Sequence, residues 1–195
     1  MATPNADLMS RAWARLAGNW GAPMGLCIVF FALWVIANII PFAQLLVAGP
    51  LICGLYGAFL AHAAGRPIDV GMLFDWFSGY LNKVVAFALV TLFTLLWSLL
   101  LVVPGIVAAL SYSMTFFLLA ENPDLDGVEA IRLSKIMMAG HRWKLFCLGC
   151  RFFGWAILCV LTFGVLCLWV GPYMVASLAE FYRDLKGQTP QAPAA

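Results

Sequence analysis

Six stretches of this sequence run on with almost no charge: Met24–Ile40, Leu45–Ala64, Val84–Val103, Gly105–Ala120, Leu145–Thr162 and Val165–Leu178. A helix that crosses a bilayer needs about 20 apolar residues, with a range of roughly 17–25. The first five stretches reach or approach that length, and the sixth does so when extended to Tyr182. Charged residues make up only 10% of the chain and mean hydropathy is +0.96. Soluble domains carry about 25% charged residues, so this chain has too little polar surface to cover itself in water. The expected fold is all-α: a polytopic membrane bundle of six transmembrane helices arranged as three hairpins.

A periodic pattern organises those helices. Gly18, Gly79 and Gly140 are separated by 79 − 18 = 61 and 140 − 79 = 61 residues. Each follows a short amphipathic segment and precedes a double apolar block with a breaker in its middle. The breakers are Pro41, Pro104-Gly105 and Gly164, and Trp34 and Trp97 each stand seven residues ahead of their proline. Such a recurrence suggests one unit used three times: elbow helix, glycine, spanning helix, tight turn, returning helix. The units cover residues 5–64, 70–122 and 126–186 of a single integral membrane domain, 1–186. The tail, 187–195, has nothing apolar to bury and is expected to be disordered.

The elbows carry helix signals of their own. In the first, Leu8, Met9, Ala12, Trp13, Leu16 and Trp20 fall at helical spacing, with Arg11 and Arg15 on another face. The second, Gly71–Gly79, is short and aromatic-rich. The third opens on Asp126-Gly-Val-Glu129, spaced as a capping box. Helices of this kind lie in the headgroup plane with their apolar face down; the third would serve equally as a soluble helix packed on the cytoplasmic face.

Topology follows from the placement of charge. The regions around Pro41–Gly49, Val103–Gly105 and Gly164–Gly171 contain no Asp, Glu, Lys or Arg. Of the 11 basic residues, ten fall on the other side of the spans: Arg11, Arg15, Arg66, Lys83, Arg132, Lys135, Arg142, Lys144, Arg183 and Lys186. By the positive-inside rule, both termini are cytoplasmic and three hairpins cross and return. The absence of a small-residue cleavage site after a short apolar core argues against a removed signal peptide. Trp20, Trp76 and Trp143 stand where interface anchors belong. The expected location is the inner, or plasma, membrane.

Few residues could carry chemistry. Cys147 and Cys150 form a CxxC with His141 nearby, but a tetrahedral zinc site needs four donors and no second pair exists. The stretch therefore reads as a helix entering the bilayer, with no metal and no cofactor. The remaining cysteines lie in apolar blocks and behave as small hydrophobes. Arg151, seven residues past Lys144, is the exception to charge segregation. A cation there is costly, so it snorkels, pairs with Glu180, or faces the bundle interior to hold an anion or lipid headgroup. Arg142 and His141 stand beside it as candidate ligand contacts. Ser98, Ser111, Ser113 and Thr115 read as packing glue between helices, and Gly49, Cys53, Gly54, Gly57 and Ala58 provide a face for close helix contact. The net charge of +2 is too small to indicate nucleic acid binding.

The second half resembles a bacterial family of integral membrane proteins, domain of unknown function nine-seven-five. The resemblance rests on the run from Trp97 to Ile106 with its Pro104-Gly105, on Tyr112-Ser113-Met114, on Ala120-Glu-Asn-Pro123 and on the run from Glu129 to Trp143. Phe146, Phe153-Gly154-Trp155, Pro172-Tyr173 and Phe181–Leu185 complete it. It implies a multi-pass protein with cytoplasmic amphipathic segments and brings no catalytic residues.

The functional expectation is a non-enzymatic membrane protein that binds or moves a lipid or other amphiphile. The alternatives are an accessory subunit docking a partner through the cytoplasmic 121–144 segment, and a small-solute transporter. Membrane lipids, and a protein on the cytoplasmic face, are the expected partners; homo-oligomerisation is left open. The topology makes a direct prediction. Single cysteines replacing Val47 or Val170 in a cysteine-free chain should react with an impermeant maleimide from outside the inner membrane and not from the cytosol; labelling from the cytosol would break the paired crossings.

Overall fold

A computed structural model describes residues 4–17, 20–39, 43–74, 79–100, 102–162 and 166–188. Those residues form helices and turns, with no strand among them. The expected breakers Pro41 and Gly164, together with Gly18, Trp76 and residues 189–195 of the tail, lie outside the described residues.

The chain opens with α1, Asn5–Leu16. The Pro4 carbonyl accepts hydrogen bonds from the Asp7 and Leu8 amides at 3.1 and 3.3 Å. Asp7 in the first turn and Arg15 in the last complement the helix dipole. Leu8, Met9, Ala12 and Leu16 form the buried stripe that the spacing predicts. The stripe packs into the bundle against α9 and α3. Trp13, expected on the same face, is more than half exposed and meets the Trp20 and Tyr173 rings edge-on.

Next come α2, Gly21–Ile39, and α3, Ala43–Ala63, which pack together. α3 is the hub, touching α1, α2, α4, α6, α9 and the turn that follows it. Its small residues explain why. A Cβ on Gly49 would collide with the Lys83 carbonyl of α4, and one on Gly54 with the Leu73 carbonyl. Cys53, Gly57 and Ala58 are buried on the same helix.

In the region of the second elbow, the described residues form only a single 3₁₀ turn, Val70–Leu73, opened by the Asp69 carboxylate accepting from the Gly71 amide at 3.2 Å. Gly79 then takes φ +64° against the Pro123 carbonyl, and Gly140, 61 residues later, takes φ +81°. The left-handed region strongly favours glycine, so these two periodic glycines share a conformation ahead of α4 and α8.

α4, Tyr80–Leu100, and α5, Val102–Tyr112, form an antiparallel hairpin in which Phe93 meets Tyr112. The reversal falls before Pro104-Gly105, which sit inside the first turn of α5 and do not form the bend itself. Proline is tolerated there because first-turn amides have no intrahelical acceptor. Gly105 is needed for a different reason: its Cβ would strike Ser98 of α4. Lys83, expected in the connection before this helix, lies in its first turns and is fully buried.

The fourth apolar block also departs from expectation. It breaks at Ser113-Met114, and α6, Thr115–Glu121, carries it on. Ser111 and Ser113 donate to the Val107 and Leu110 carbonyls at 2.6 and 2.8 Å, and Ser134 donates to the Ser111 carbonyl at 2.8 Å. Side-chain hydroxyls that bond nearby carbonyls bend helices, and Ser134 satisfies a carbonyl at the break.

α7, Gly127–Met137, lies tight on α4, where a Gly127 Cβ would meet the Asn82 carbonyl. The expected capping box does not form. Asp126 makes no side-chain cap, and Glu129 turns to Arg132 in a two-bond pair at 2.6 and 2.8 Å. The hydrogen bonds lower the Glu129 pKa and raise that of Arg132.

α8, Arg142–Leu161, and α9, Cys167–Gln188, run antiparallel, with Phe152 against Tyr173 and Lys144 against Asp184. α9 extends into the region assigned to the tail, taking in Gly187 and Gln188.

Among the described residues, four stretches are long and apolar enough to cross a membrane: Gly21–Ile39, Gln44–Ala63, Tyr80–Leu99 and Val103–Glu121. α2 and α4 bury only 17% and 11% of their apolar windows, and Phe31, Ile39, Leu95 and Leu99 point outward. Exposed apolar surface of that extent marks a membrane or partner face. Gly49→Val should overpack the α3–α4 crossing and lower stability by about 1–3 kcal/mol. Gly149→Ala on α8, where a Cβ meets open space, should leave stability within about 1 kcal/mol of the parent. Thermal unfolding in a mild detergent measures both.

Candidate functional site

The last two turns of α9 bring the charged ends of the other helices together. Glu180, Arg183, Asp184 and Lys186 follow one another at near-helical spacing and each reaches a different neighbour. Arg15 of α1 places Nε 2.6 Å from Glu180 Oε1, a close ion pair without hydrogen-bond alignment. Arg183 lies 3.6 Å from the same carboxylate and donates to the Ala63 carbonyl at the end of α3. A helix C-terminus has unpaired carbonyls and partial negative charge, so the guanidinium acts there as an external cap.

Two further pairs complete the network. Asp184 accepts from Lys144 Nζ of α8 at 2.7 Å, with both side chains more than four-fifths buried. Lys144 also sits 5.2 Å over the Phe181 ring, and its carbonyl accepts from Asn5 Nδ2 at 2.9 Å. On the other side, Glu121 at the end of α6 pairs with Lys186 and accepts from the Tyr182 hydroxyl at 2.7 Å. Beneath that hydroxyl the Tyr182, Phe117 and Tyr56 rings form a column, with centroids 5.3 and 4.1 Å apart and planes within 15° and 2°. One helix end thereby links α1, α3, α6 and α8.

A cleft of about 680 Å³ opens beside this network, between α3, α6 and α9. Its polar lining consists of Arg66 after α3, Tyr182, Arg183 and Lys186 of α9, and Glu121 at the end of α6. Arg66 is exposed and makes no ion pair among the described residues. Three cations against one carboxylate leave the lining electropositive, an arrangement that can hold an anion.

The residues singled out from sequence do not assemble into one site. Glu180 is buried and held by Arg15 and Arg183, so the anticipated Arg151–Glu180 pair is absent. The reason is geometric: α1 docks on α9 and brings a guanidinium to the carboxylate first. Arg151 is exposed on α8, with Nη1 3.7 Å from the Met9 sulfur. Arg142 and His141 are half-buried at the start of α8; His141 Nδ1 lies 3.2 Å from the Ala139 carbonyl, and neither lines the cleft. Trp143 is exposed and stacks on Phe146. Cys147 and Cys150 are exposed free thiols.

In sequence, Arg66, Arg183 and Lys186 stand only as charges in the connections, and Glu121 and Tyr182 carry no site assignment. One signal did point to them: Glu180, Arg183, Asp184 and Lys186 are too dense for a helix end that merely frays into water. Because both members are largely buried, Lys144 and Asp184 should couple strongly. A double-mutant cycle with Lys144→Ala and Asp184→Ala is expected to give about 1–3 kcal/mol of interaction energy in thermal or chemical unfolding, and additivity would remove the pair from the network.

No curated protein and no solved structure matches the chain. Residues 76–189, more than half of the chain, match a family of unknown function, and the match spans α4 to α9 with Glu121 and the whole charged end of α9. Those residues place the chain in the family described as protein of unknown function, DUF975.

Proposed function

We propose that this chain is a six-span bacterial inner-membrane protein with both termini in the cytoplasm, and that it binds or moves an anionic lipid or other amphiphile without catalysing a reaction on it. Four helices have the length and apolarity to cross. The apolar lengths of α8 and α9 supply the third hairpin, because their charges other than Arg151 lie at the end shared with α1, α3 and α6.

The observation that carries the binding role is the cleft. Arg66, Arg183 and Lys186 line it at the charged end of the bundle, the depth at which lipid headgroups meet basic side chains. α7 fits an interfacial elbow: Val128 and Ile136, eight residues apart, are both exposed beside Arg132 and Lys135. α1, by contrast, spends its apolar stripe on the bundle. The same exposed Val128 and Ile136, with Trp143, favour a second reading in which the 121–144 segment docks a partner protein.

Native mass spectrometry of protein extracted in mild detergent tests the first reading. The parent should retain anionic phospholipid, and the Arg66→Gln/Lys186→Gln double variant should lose about tenfold of it, while Arg151→Ala keeps it. Loss only in Arg151→Ala would move the site to the seam of α1, α8 and α9. A parent free of lipid, co-purifying with a protein that Val128→Asp/Ile136→Asp releases, would replace this reading with the second.

A further inference from the structure

A second cavity, of about 580 Å³, lies between α3, α4, α5, α6 and α9. It touches the helices of the cleft one turn along. The cleft is lined by Leu60, Ala120 and Tyr182, and the cavity by Tyr56, Phe116 and Leu178, four residues earlier on α3, α6 and α9 respectively. The aromatic column joins them: Tyr182 lines the cleft, Tyr56 lines the cavity, and the buried Phe117 ring is stacked between the two.

Away from the column, the cavity follows the groove of the α4–α5 hairpin. Thr91, Thr94 and Ser98 lie on one face of α4, spaced by three and four residues, opposite Ala109 of α5. The Thr94 hydroxyl has no hydrogen-bond partner among the described residues. Leu95 and Ala109 are both exposed, so the groove opens sideways onto the outward face of the bundle.

We propose that the cleft and this cavity are two compartments of one lipid site, and that its occupant is a bilayer lipid with a dianionic phosphate-monoester headgroup. This rests on the lipid-binding reading above and makes it specific. The headgroup lies in the cleft, where Arg66, Arg183 and Lys186, with Arg15 behind them, face the Glu121 and Glu180 carboxylates and leave a net charge of +2 (4 − 2). That charge matches a phosphomonoester, which carries about −1.5 to −2 at neutral pH. A singly charged diester would leave it partly uncompensated. One acyl chain enters sideways between α4 and α5 and fills the cavity, with the Tyr56–Phe117–Tyr182 column as the wall shared by the two compartments. A free phosphate would satisfy the cleft alone; the laterally open apolar groove beside it is what selects a lipid.

The test uses the full chain in phosphatidylcholine nanodiscs doped with phosphatidic acid or phosphatidylglycerol, with glycerol 3-phosphate and inorganic phosphate as soluble probes. Lipids retained after transfer to detergent are counted by native mass spectrometry. Phosphatidic acid should be retained over phosphatidylglycerol by about tenfold. Ala109→Leu and Leu95→Trp both fill the groove from its exposed side, where neither overpacks the core. Each should cut phosphatidic acid retention by about tenfold while leaving unfolding temperature and glycerol 3-phosphate binding unchanged. Arg66→Gln should weaken both ligands.

Equal retention of the two lipids would overturn the headgroup assignment. Unchanged phosphatidic acid retention in both groove variants would overturn the two-compartment site while leaving the cleft as a lipid site. Inorganic phosphate binding as tightly as phosphatidic acid would make the ligand a free anion. Absence of any anionic lipid or phosphate from the parent would remove the lipid-binding reading itself.

Discussion

Hydrocarbon raises the energy of every charge placed within it, and the arrangement of this bundle follows from how the chain keeps its charges together. The insertion cost of a basic side chain at mid-membrane is about 2.5–3.5 kcal/mol on the most lenient scale, comparable with the net stability that a few good contacts supply. The chain answers with segregation. Arg15, Glu121, Lys144, Glu180, Arg183, Asp184 and Lys186 meet at one end and pair with one another there, four cations to three carboxylates. Surface ion pairs contribute little on their own. The buried members, Glu180 and the Lys144–Asp184 pair, carry a different weight, since removing one partner strands the other in a poor solvent.

Packing between helices follows a second rule. In lipid the hydrophobic effect does not drive helices together, so close approach of backbones and hydrogen bonds must do it. α3 meets that requirement with Gly49 and Gly54, each so near a neighbouring carbonyl that a methyl group would not fit. α7 repeats the device with Gly127 against α4, and α5 with Gly105 against Ser98. Polar atoms on these seams are used locally: the Ser134 hydroxyl goes to the carbonyl of Ser111 at the kink between α5 and α6.

Long apolar blocks are legible in sequence because a single cause, burial in hydrocarbon, acts on every residue in them; the helices at Gly21–Ile39, Gln44–Ala63 and Tyr80–Leu99 lie where the blocks predict. The small face of α3 was legible for the same reason. Features decided by competition between neighbours were not. Asp126 and Glu129 have capping-box spacing, yet Arg132 one turn on takes the Glu129 carboxylate. Pro104 marks the hairpin but is compatible with a first helical turn, so it cannot place the apex. Ser111 and Ser113, read as glue between helices, donate to carbonyls of their own helix next to its break, and the Ser111 carbonyl takes a bond from α7. The partner of Glu180 depended on α1 docking across 165 residues of sequence, for which pairwise spacing holds no information, and the electropositive cleft is assembled from three segments for the same reason.

The contact between α1 and α9 has a temporal consequence. Leu8, Met9, Ala12 and Leu16 find much of their cover, and Arg15 its carboxylate, on the last helix of the chain. At translation speeds of about 5–20 residues per second, the ribosome needs on the order of ten seconds or more to reach that helix. Throughout that interval the amino-terminal segment is an amphipathic helix without its main protein contact, and the bilayer surface is the natural place for it to wait. Assembly therefore finishes with a transfer from lipid headgroups to protein. Nascent chains stalled before Glu180 should leave the first helix open to proteases that the finished bundle excludes.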